Sequence, residues 1–245
     1  MSSGRLLPRT DDLDPLPLWG QRVLRPAGRA VYGSRYALEV HGRDRVPRRG
    51  PVLLAGNHMG YLDGPLVTTA APRPTHALVK QEMFHGWMGR LLTVAGQIPV
   101  DRFDVDVRAV RLSVCALRAG RAVVVFPEAN RGAGDVATTR RGLAYLALVT
   151  GSSVVPVAVL GSRWAGESIH SKPKRGTRLV VAFGEPVPVP AEPWPRRSDR
   201  VRDLAEQLRE TLAAHVSSTV ARTGVTLPGP APDADDHPDE IGAAL

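Results

Sequence analysis

The apolar positions of this chain switch repeatedly between the two periods of regular secondary structure. Tyr36-Ala-Leu-Glu-Val-His-Gly42 alternates as a half-buried strand does. Val52 to Ala55, Thr75 to Lys80, Ile98 to Val100, Ala122 to Phe126, Val154 to Leu160 and Thr177 to Phe183 are short apolar runs that predict further strands, several of them covered on both faces. Helical spacing intervenes. A helix is predicted from about Asp63 to Ala70. Phe84, Trp87, Met88, Leu91 and Leu92 mark an apolar helix face ending near Gly96, for which packing on the core is the default expectation. Val107, Val110, Val114 and Leu117 mark another, with Cys115 as a small core residue. A third runs from Gly142 to Val149. A fourth begins near Ser198 and carries the stripe Val201, Leu204, Leu208, Leu212 and Val216. This alternation argues for an α/β domain with a mixed or largely parallel sheet flanked by helices.

The ends of the chain read differently. Residues 1 to 15 show no periodicity. From Pro15 to Arg35, Leu16, Trp19, Val23 and Leu24 fall at helical spacing among Arg22, Arg25, Arg29 and Arg35, and Pro26 is expected to break or kink the element. A basic amphipathic helix with a tryptophan suits an anionic membrane surface, and equally a helix packed on the core with a solvated arginine face. Beyond Thr223 the sequence is rich in proline, alanine and aspartate, which predicts disorder. The expected division is therefore an N-terminal segment (1–35), a main domain (36–222) and an acidic tail (223–245). Gly142 to Ser162 is uncharged and long enough on paper to cross a bilayer, but Thr150-Gly-Ser-Ser153 and Pro156 interrupt it, so a helix, a turn and a strand fit better.

Charge adds a partner class. The formal net charge is +8, yet no Lys or Arg follows Arg222 while five acidic residues do, which leaves +13 on residues 1–222. A body that basic favours phosphorylated metabolites, anionic lipid surfaces or nucleic acid. Nucleic acid is the weaker expectation, because no basic stripe interleaved with aromatics is present. Lysine occurs only at Lys80, Lys172 and Lys174 in this arginine-rich chain, a bias that hints at a high-GC bacterial genome and makes Lys80 conspicuous. The single cysteine excludes an intramolecular disulfide and a cysteine metal cluster. The first residues lack the apolar core of a secretion signal.

Three segments end an apolar run with polar residues suited to chemistry. Asn57-His58-Met-Gly-Tyr-Leu-Asp63 follows a predicted strand and opens a predicted helix. A histidine held by a carboxylate is a common general base near neutral pH. Of the seven histidines, His58 alone has an aspartate five positions on. Asp101-Arg102 follows Gln97-Ile-Pro-Val100, and an arginine at a strand end suits a phosphate, with Lys80 able to add a second positive charge. Phe126-Pro-Glu128-Ala129-Asn130-Arg131 follows another strand. There Glu128 could bond a substrate hydroxyl, and Arg131 could hold a phosphate or pair with Glu128. No segment shows metal-ligand spacing.

Together these segments resemble the glycerophospholipid acyltransferase family, in its lysophosphatidic acid acyltransferase branch. His58 to Asp63 matches the His-x4-Asp signature. Lys80-Gln-Glu-Met-Phe84 through Gly96-Gln-Ile-Pro-Val-Asp-Arg102 resembles the second block, Phe126 to Arg131 the Phe-Pro-Glu-Gly-Thr-Arg block, and Val154-Val-Pro-Val-Ala158 the final one. They occur in the family's order over about residues 36 to 185. The resemblance implies transfer of an acyl group from acyl-CoA or acyl-carrier protein to the hydroxyl of lysophosphatidic acid, giving phosphatidic acid, with no cofactor, metal or acyl-enzyme. It implies His58 as general base and Asp63 as its partner. It implies Lys80, Arg102 and Arg131 at the acceptor phosphate, Glu128 at its glycerol, and Asn130 as a hydrogen-bonding member of the same loop. It further implies peripheral attachment at the cytoplasmic face of the cell membrane. Ala129-Asn130 replaces the common Gly-Thr and Gly132 stands where serine is frequent, which leaves the acceptor open to a glycolipid, an ornithine lipid or glycerol phosphate.

Overall fold

A computed structural model of the chain describes residues 7–101, 105–128 and 130–232. Arg102, Ala129 and the acidic tail from Asp233 onward lie outside the described residues. In chain order the elements are α1 (Trp19–Arg35), β1 (Ala37–His41), β2 (Val52–Gly56), α2 (Asp63–Ala70), β3 (Thr75–Lys80), α3 (Gly86–Val94), β4 (Ile98–Val100), α4 (Val107–Arg118), β5 (Ala122–Val125), α5 (Gly142–Thr150), β6 (Ser153–Leu160), β7 (Arg178–Phe183) and α6 (Ser198–Thr223). The mixed α/β expectation holds.

The seven strands form one sheet in the order β1-β7-β6-β2-β5-β3-β4. Every pairing is parallel except β6 with β7. Strands β2 and β5 are buried along their whole length, as their unbroken apolar runs demand. Their side chains divide by parity. Leu53, Ala55, Val123 and Val125 join a core with α4, α5 and α6. Val52, Leu54, Ala122 and Val124 join the opposite core with α2 and Tyr32 of α1. The α6 stripe is buried as expected.

Parallel pairing has a consequence for the site. The C-terminal ends of β2, β3, β4, β5 and β6 all reach one sheet edge. The chain lays down β2, moves outward to β3 and β4, returns to place β5 beside β2, then crosses to β6 on the other flank. The strand order reverses around β2, which is where open α/β sheets form binding crevices.

As expected, the uncharged stretch from Gly142 is α5, a turn and β6, which is apolar from Val154 onward, and among the described residues no helix is long and apolar enough to cross a membrane. Several other expectations need correction. Pro26 does not break α1, which runs through it. The arginines of α1 are not simply a solvated face. Arg25 donates to the carbonyls of Thr68 and Ala71, and Arg29 to those of Thr69 and Ala71. These are the unpaired last carbonyls of α2, where a cation also meets the negative end of the helix dipole. The apolar residues Trp19, Val23 and Val31 are exposed instead. The α3 face is likewise not core, since Trp87 is 73% exposed and Leu91 is exposed beside it. In α4, Val114 and Leu117 are buried and Val110 packs on the core as expected, joined by Ala109, Leu112 and Ala116, whereas Val107 is exposed and Cys115 only partly buried. Strand β1 lies at the sheet edge, where Leu38 and Val40 are partly buried against the core.

The ends are also more ordered than composition suggests. Leu13 and Leu16 pack on the core, and Arg111, Arg118 and Arg121 donate to the carbonyls of Arg9, Pro8 and Leu16. After α6, Val225 and Leu227 pack on the main core.

Gln21 fastens α1 to the sheet. Its side chain is buried, donates to Thr75 O and Ala95 O at 2.8 Å each, and accepts from Thr75 N at 2.9 Å. Gln21→Leu strands those backbone groups and is expected to lower unfolding free energy by about 1–3 kcal/mol in urea titrations, a cost that an exposed α1 substitution would not reproduce.

Candidate active site

Strand β2 ends at Gly56, and the next residues build the site. Asn57 is fully buried. Its carboxamide accepts from Val159 N at 2.7 Å and donates to Val159 O and Gly134 O at 3.1 Å. It therefore continues the β2–β6 pairing with a side chain after the backbone has turned away. That releases the chain into the loop carrying His58.

The loop closes on one oxygen. Asp63 Oδ2 lies 2.8 Å from His58 Nδ1 and accepts the N–H groups of Met59 at 2.6 Å and Gly60 at 2.8 Å. Asp63 is the first residue of α2 and is wholly buried. Its charge is balanced by these donors and by the positive end of its own helix. With Nδ1–H directed at the carboxylate, the neutral ring presents an unprotonated Nε2. The imidazole stacks on Phe126, with centroids 4.4 Å apart and planes at 24°. Phe126 can lie there because Gly56 has no side chain, since a Cβ would fall 2.8 Å from the ring.

The loop after β5 grips His58 by its backbone. Glu128 Oε1 accepts from His58 N at 2.9 Å, and Gly132 N donates to His58 O at 2.9 Å. Gly134, at φ 83°, faces Met59, and a Cβ there would lie 2.5 Å from the Met59 sulfur. Burial raises the Glu128 pKa to about 7, opposed by the His58 amide and reinforced by the negative charges of Asp135 and Asp63.

Arg131 points along this edge, with its guanidinium carbon 5.6 Å from the Tyr61 ring centre. Lys172 Nζ approaches the same ring at 5.7 Å. Two cations thus meet at one aromatic residue of the His58–Asp63 turn. Asn130 is partly buried in the same loop, and Lys80, also partly buried, ends β3 on the same sheet edge with β5 between β3 and β2. The structure brings His58, Asp63 and Glu128 into direct contact and Arg131 onto the turn. It leaves Lys80 one strand farther out, and Arg102 lies outside the described residues.

Four contributors were not read from the sequence. Asn57 carried a signal, since a polar residue closing a buried strand needs a partner. Lys172 carried one too, as a rare lysine in an arginine-rich chain. The stacking of Phe126, and the buried Arg163 that donates to Met59 O and Gly132 O, depend on neighbours far away in sequence and left none.

A carboxyl group whose pKa is raised on folding stabilises the protein fully below its ordinary value near 4.5, and loses that contribution as pH passes through about 7. Glu128→Gln removes the titration. Between pH 5 and 8 the wild-type protein is expected to lose on the order of 3 kcal/mol relative to this variant in urea unfolding. A stability difference independent of pH would show that Glu128 is ionised throughout.

The acyltransferase family pattern matches residues 37–160, just over half the chain. A 1-acyl-sn-glycerol-3-phosphate acyltransferase of Borreliella burgdorferi is 30% identical over 129 residues, 49% of this chain and 50% of that protein. A lyso-ornithine lipid O-acyltransferase of Pseudomonas aeruginosa is 31% identical over 125 residues, 49% of this chain and 47% of that protein. The chain thus spans about half the length of these curated relatives. The crystal structure of the LPA acyltransferase PlsC from Thermotoga maritima superposes with a TM-score of 0.62 at 18% identity, covering 80% of this chain and 79% of that one, a likeness of fold. The matched region runs from β1 to the end of β6 and contains the whole His58 turn and the loop that grips it, and on that match the chain belongs to the acyltransferase family.

Proposed function

We propose that the protein transfers a fatty acyl group from a thioester, acyl-CoA or acyl-carrier protein, to the free hydroxyl of lysophosphatidic acid, giving phosphatidic acid. The observation that supports this most is the His58 imidazole held by the buried Asp63 carboxylate at 2.8 Å, at the switch point of the sheet. His58 Nε2 removes the proton of the acceptor hydroxyl as its oxygen attacks the thioester carbonyl. Asp63 holds the tautomer and stabilises the imidazolium. Collapse of the tetrahedral intermediate breaks the carbon–sulfur bond, and the departing thiolate takes the proton back from His58. The transfer is direct, so no acyl-enzyme forms. Arg131 and Lys172 at Tyr61, with Lys80 beyond, supply charge for the acceptor phosphate, a role the sequence resemblance gives to Arg102 as well. Glu128 keeps Oε1 on the His58 amide and offers Oε2 to the glycerol. Family membership supports an enzyme over a basic nucleic-acid-binding module.

A second acceptor, a lyso-ornithine lipid, is favoured by the similarity to the Pseudomonas enzyme and by the Ala129-Asn130 substitution in the loop beside Arg131. Purified protein supplied with long-chain acyl-CoA and either acceptor, followed by thiol release, separates the two. His58→Ala is expected to lower kcat by about 10²- to 10⁴-fold on the preferred acceptor. Full activity in that variant would end the mechanism.

The protein is further proposed to work from an anionic membrane surface, at the cytoplasmic face of the cell membrane. Trp19 and Val23 stand exposed on one side of α1, and Trp87 and Leu91 on α3, which packs against α1 and leaves the sheet edge that bears Lys80. Arg22 and Arg90 are exposed nearby, and amphipathic helices of this kind settle at the headgroup boundary. Trp19→Ser with Trp87→Ser is expected to weaken sedimentation with phosphatidylglycerol vesicles by about tenfold or more. Unchanged binding would remove these helices from the contact.

A further inference from the structure

Arg163 lies three residues past β6 and is 2% exposed. A guanidinium is rarely buried this far without bonds for its donors. Here it donates from Nε to Met59 O at 2.9 Å and from Nη1 to Glu167 O at 3.1 Å. From Nη2 it reaches Gly132 O at 2.8 Å and Gly229 O at 2.6 Å. The last contact draws the segment after α6 back to the site.

The choice of carbonyls matters. Met59 C=O and Gly60 N–H belong to one peptide unit, and in a trans peptide they point in opposite directions. Arg163 holds the oxygen of that unit while Asp63 Oδ2 takes its N–H at 2.8 Å. The plane is therefore fixed from both ends, and each bond polarises the other. The second carbonyl belongs to Gly132, whose own N–H donates to His58 O. One guanidinium thus braces both the turn that holds Asp63 and the loop that grips His58.

We infer that Arg163 is a positioning residue for the proposed acyl-transfer site, setting the Met59–Gly60 peptide and the Gly132 loop so that His58 and Asp63 meet. The inference rests on the acyl-transfer function for its kinetic consequence. An ammonium can reproduce only part of it, because the three nitrogens of a planar fork reach carbonyls in several directions at once, whereas a lysine has one nitrogen.

The test compares Arg163→Gln and Arg163→Lys with Leu212→Ala, a destabilised control buried in α6 away from the site. In Arg163→Gln, kcat is expected to fall about 100-fold with the KM for acyl-CoA within about threefold of wild type, as misplacement of a catalytic group predicts. Arg163→Lys should recover part of that loss. Leu212→Ala should lower thermal stability and leave kcat of the folded protein unchanged. Amide exchange gives a second readout that needs no activity. The Gly60 N–H should exchange at least about tenfold faster in Arg163→Gln than in Leu212→Ala at matched stability. Wild-type kcat in both Arg163 variants, or Gly60 exchange no faster than in the control, would overturn the inference. A wild-type protein inactive on every acceptor would instead overturn the acyl-transfer function, and the Gly60 exchange would still decide the positioning role.

Discussion

A carboxylate with no access to water constrains the centre of this protein. Asp63 is wholly buried, and burying a charge is unfavourable unless donors replace the lost hydration. Its Oδ2 collects the imidazole of His58 and the N–H groups of Met59 and Gly60, while Oδ1 has no hydrogen-bond partner among the described residues. Three donors on one atom require the chain from 58 to 60 to curl around the start of α2. The geometry of the histidine is thus a by-product of neutralising the aspartate. The ring is held in turn, because rotating it would take one of the three donors away from the charge.

The turn does not hold itself. Asn57 fastens its beginning to β6, Glu128 and Gly132 hold the two peptide groups of His58, and Arg163 draws on Met59 and Gly132 together. These supports come from the ends of β2, β5 and β6, the three adjacent strands at the middle of the sheet. Parallel pairing brings their C-terminal ends to one edge, so segments about 70 and 105 residues from His58 in sequence arrive within hydrogen-bond reach. Glu128 also shows how support and chemistry compete. Burial beside two other carboxylates raises its pKa towards neutrality, a destabilising arrangement at higher pH that the fold retains next to the site.

The helices on the α1 side distribute polarity in an unexpected way. Two arginines of α1 reach across to the carbonyls ending α2, and a tryptophan and two valines face out. These partly buried contacts satisfy the backbone carbonyls left open at the end of α2. The cost is a set of exposed apolar side chains on α1 and α3.

Much of the architecture was legible in the sequence. Period-two and period-3.6 patterns located the strands and helices, because burial on a sheet or a helix face selects apolar residues at fixed spacing whatever lies opposite. The His58–Asp63 pair was legible because both partners lie in one short turn. Helix orientation was not legible at α1, since periodicity states that one face differs from the other but not which faces inward, and the α2 carbonyls decided that. Nor was the order of residues 7–16 and 224–232, which composition marks as loose but contacts with α4 and the main core hold in place. Arg163 was beyond reach for the same reason. Its four acceptors are backbone carbonyls, which every residue carries and no sequence distinguishes, so only the tertiary structure could choose them.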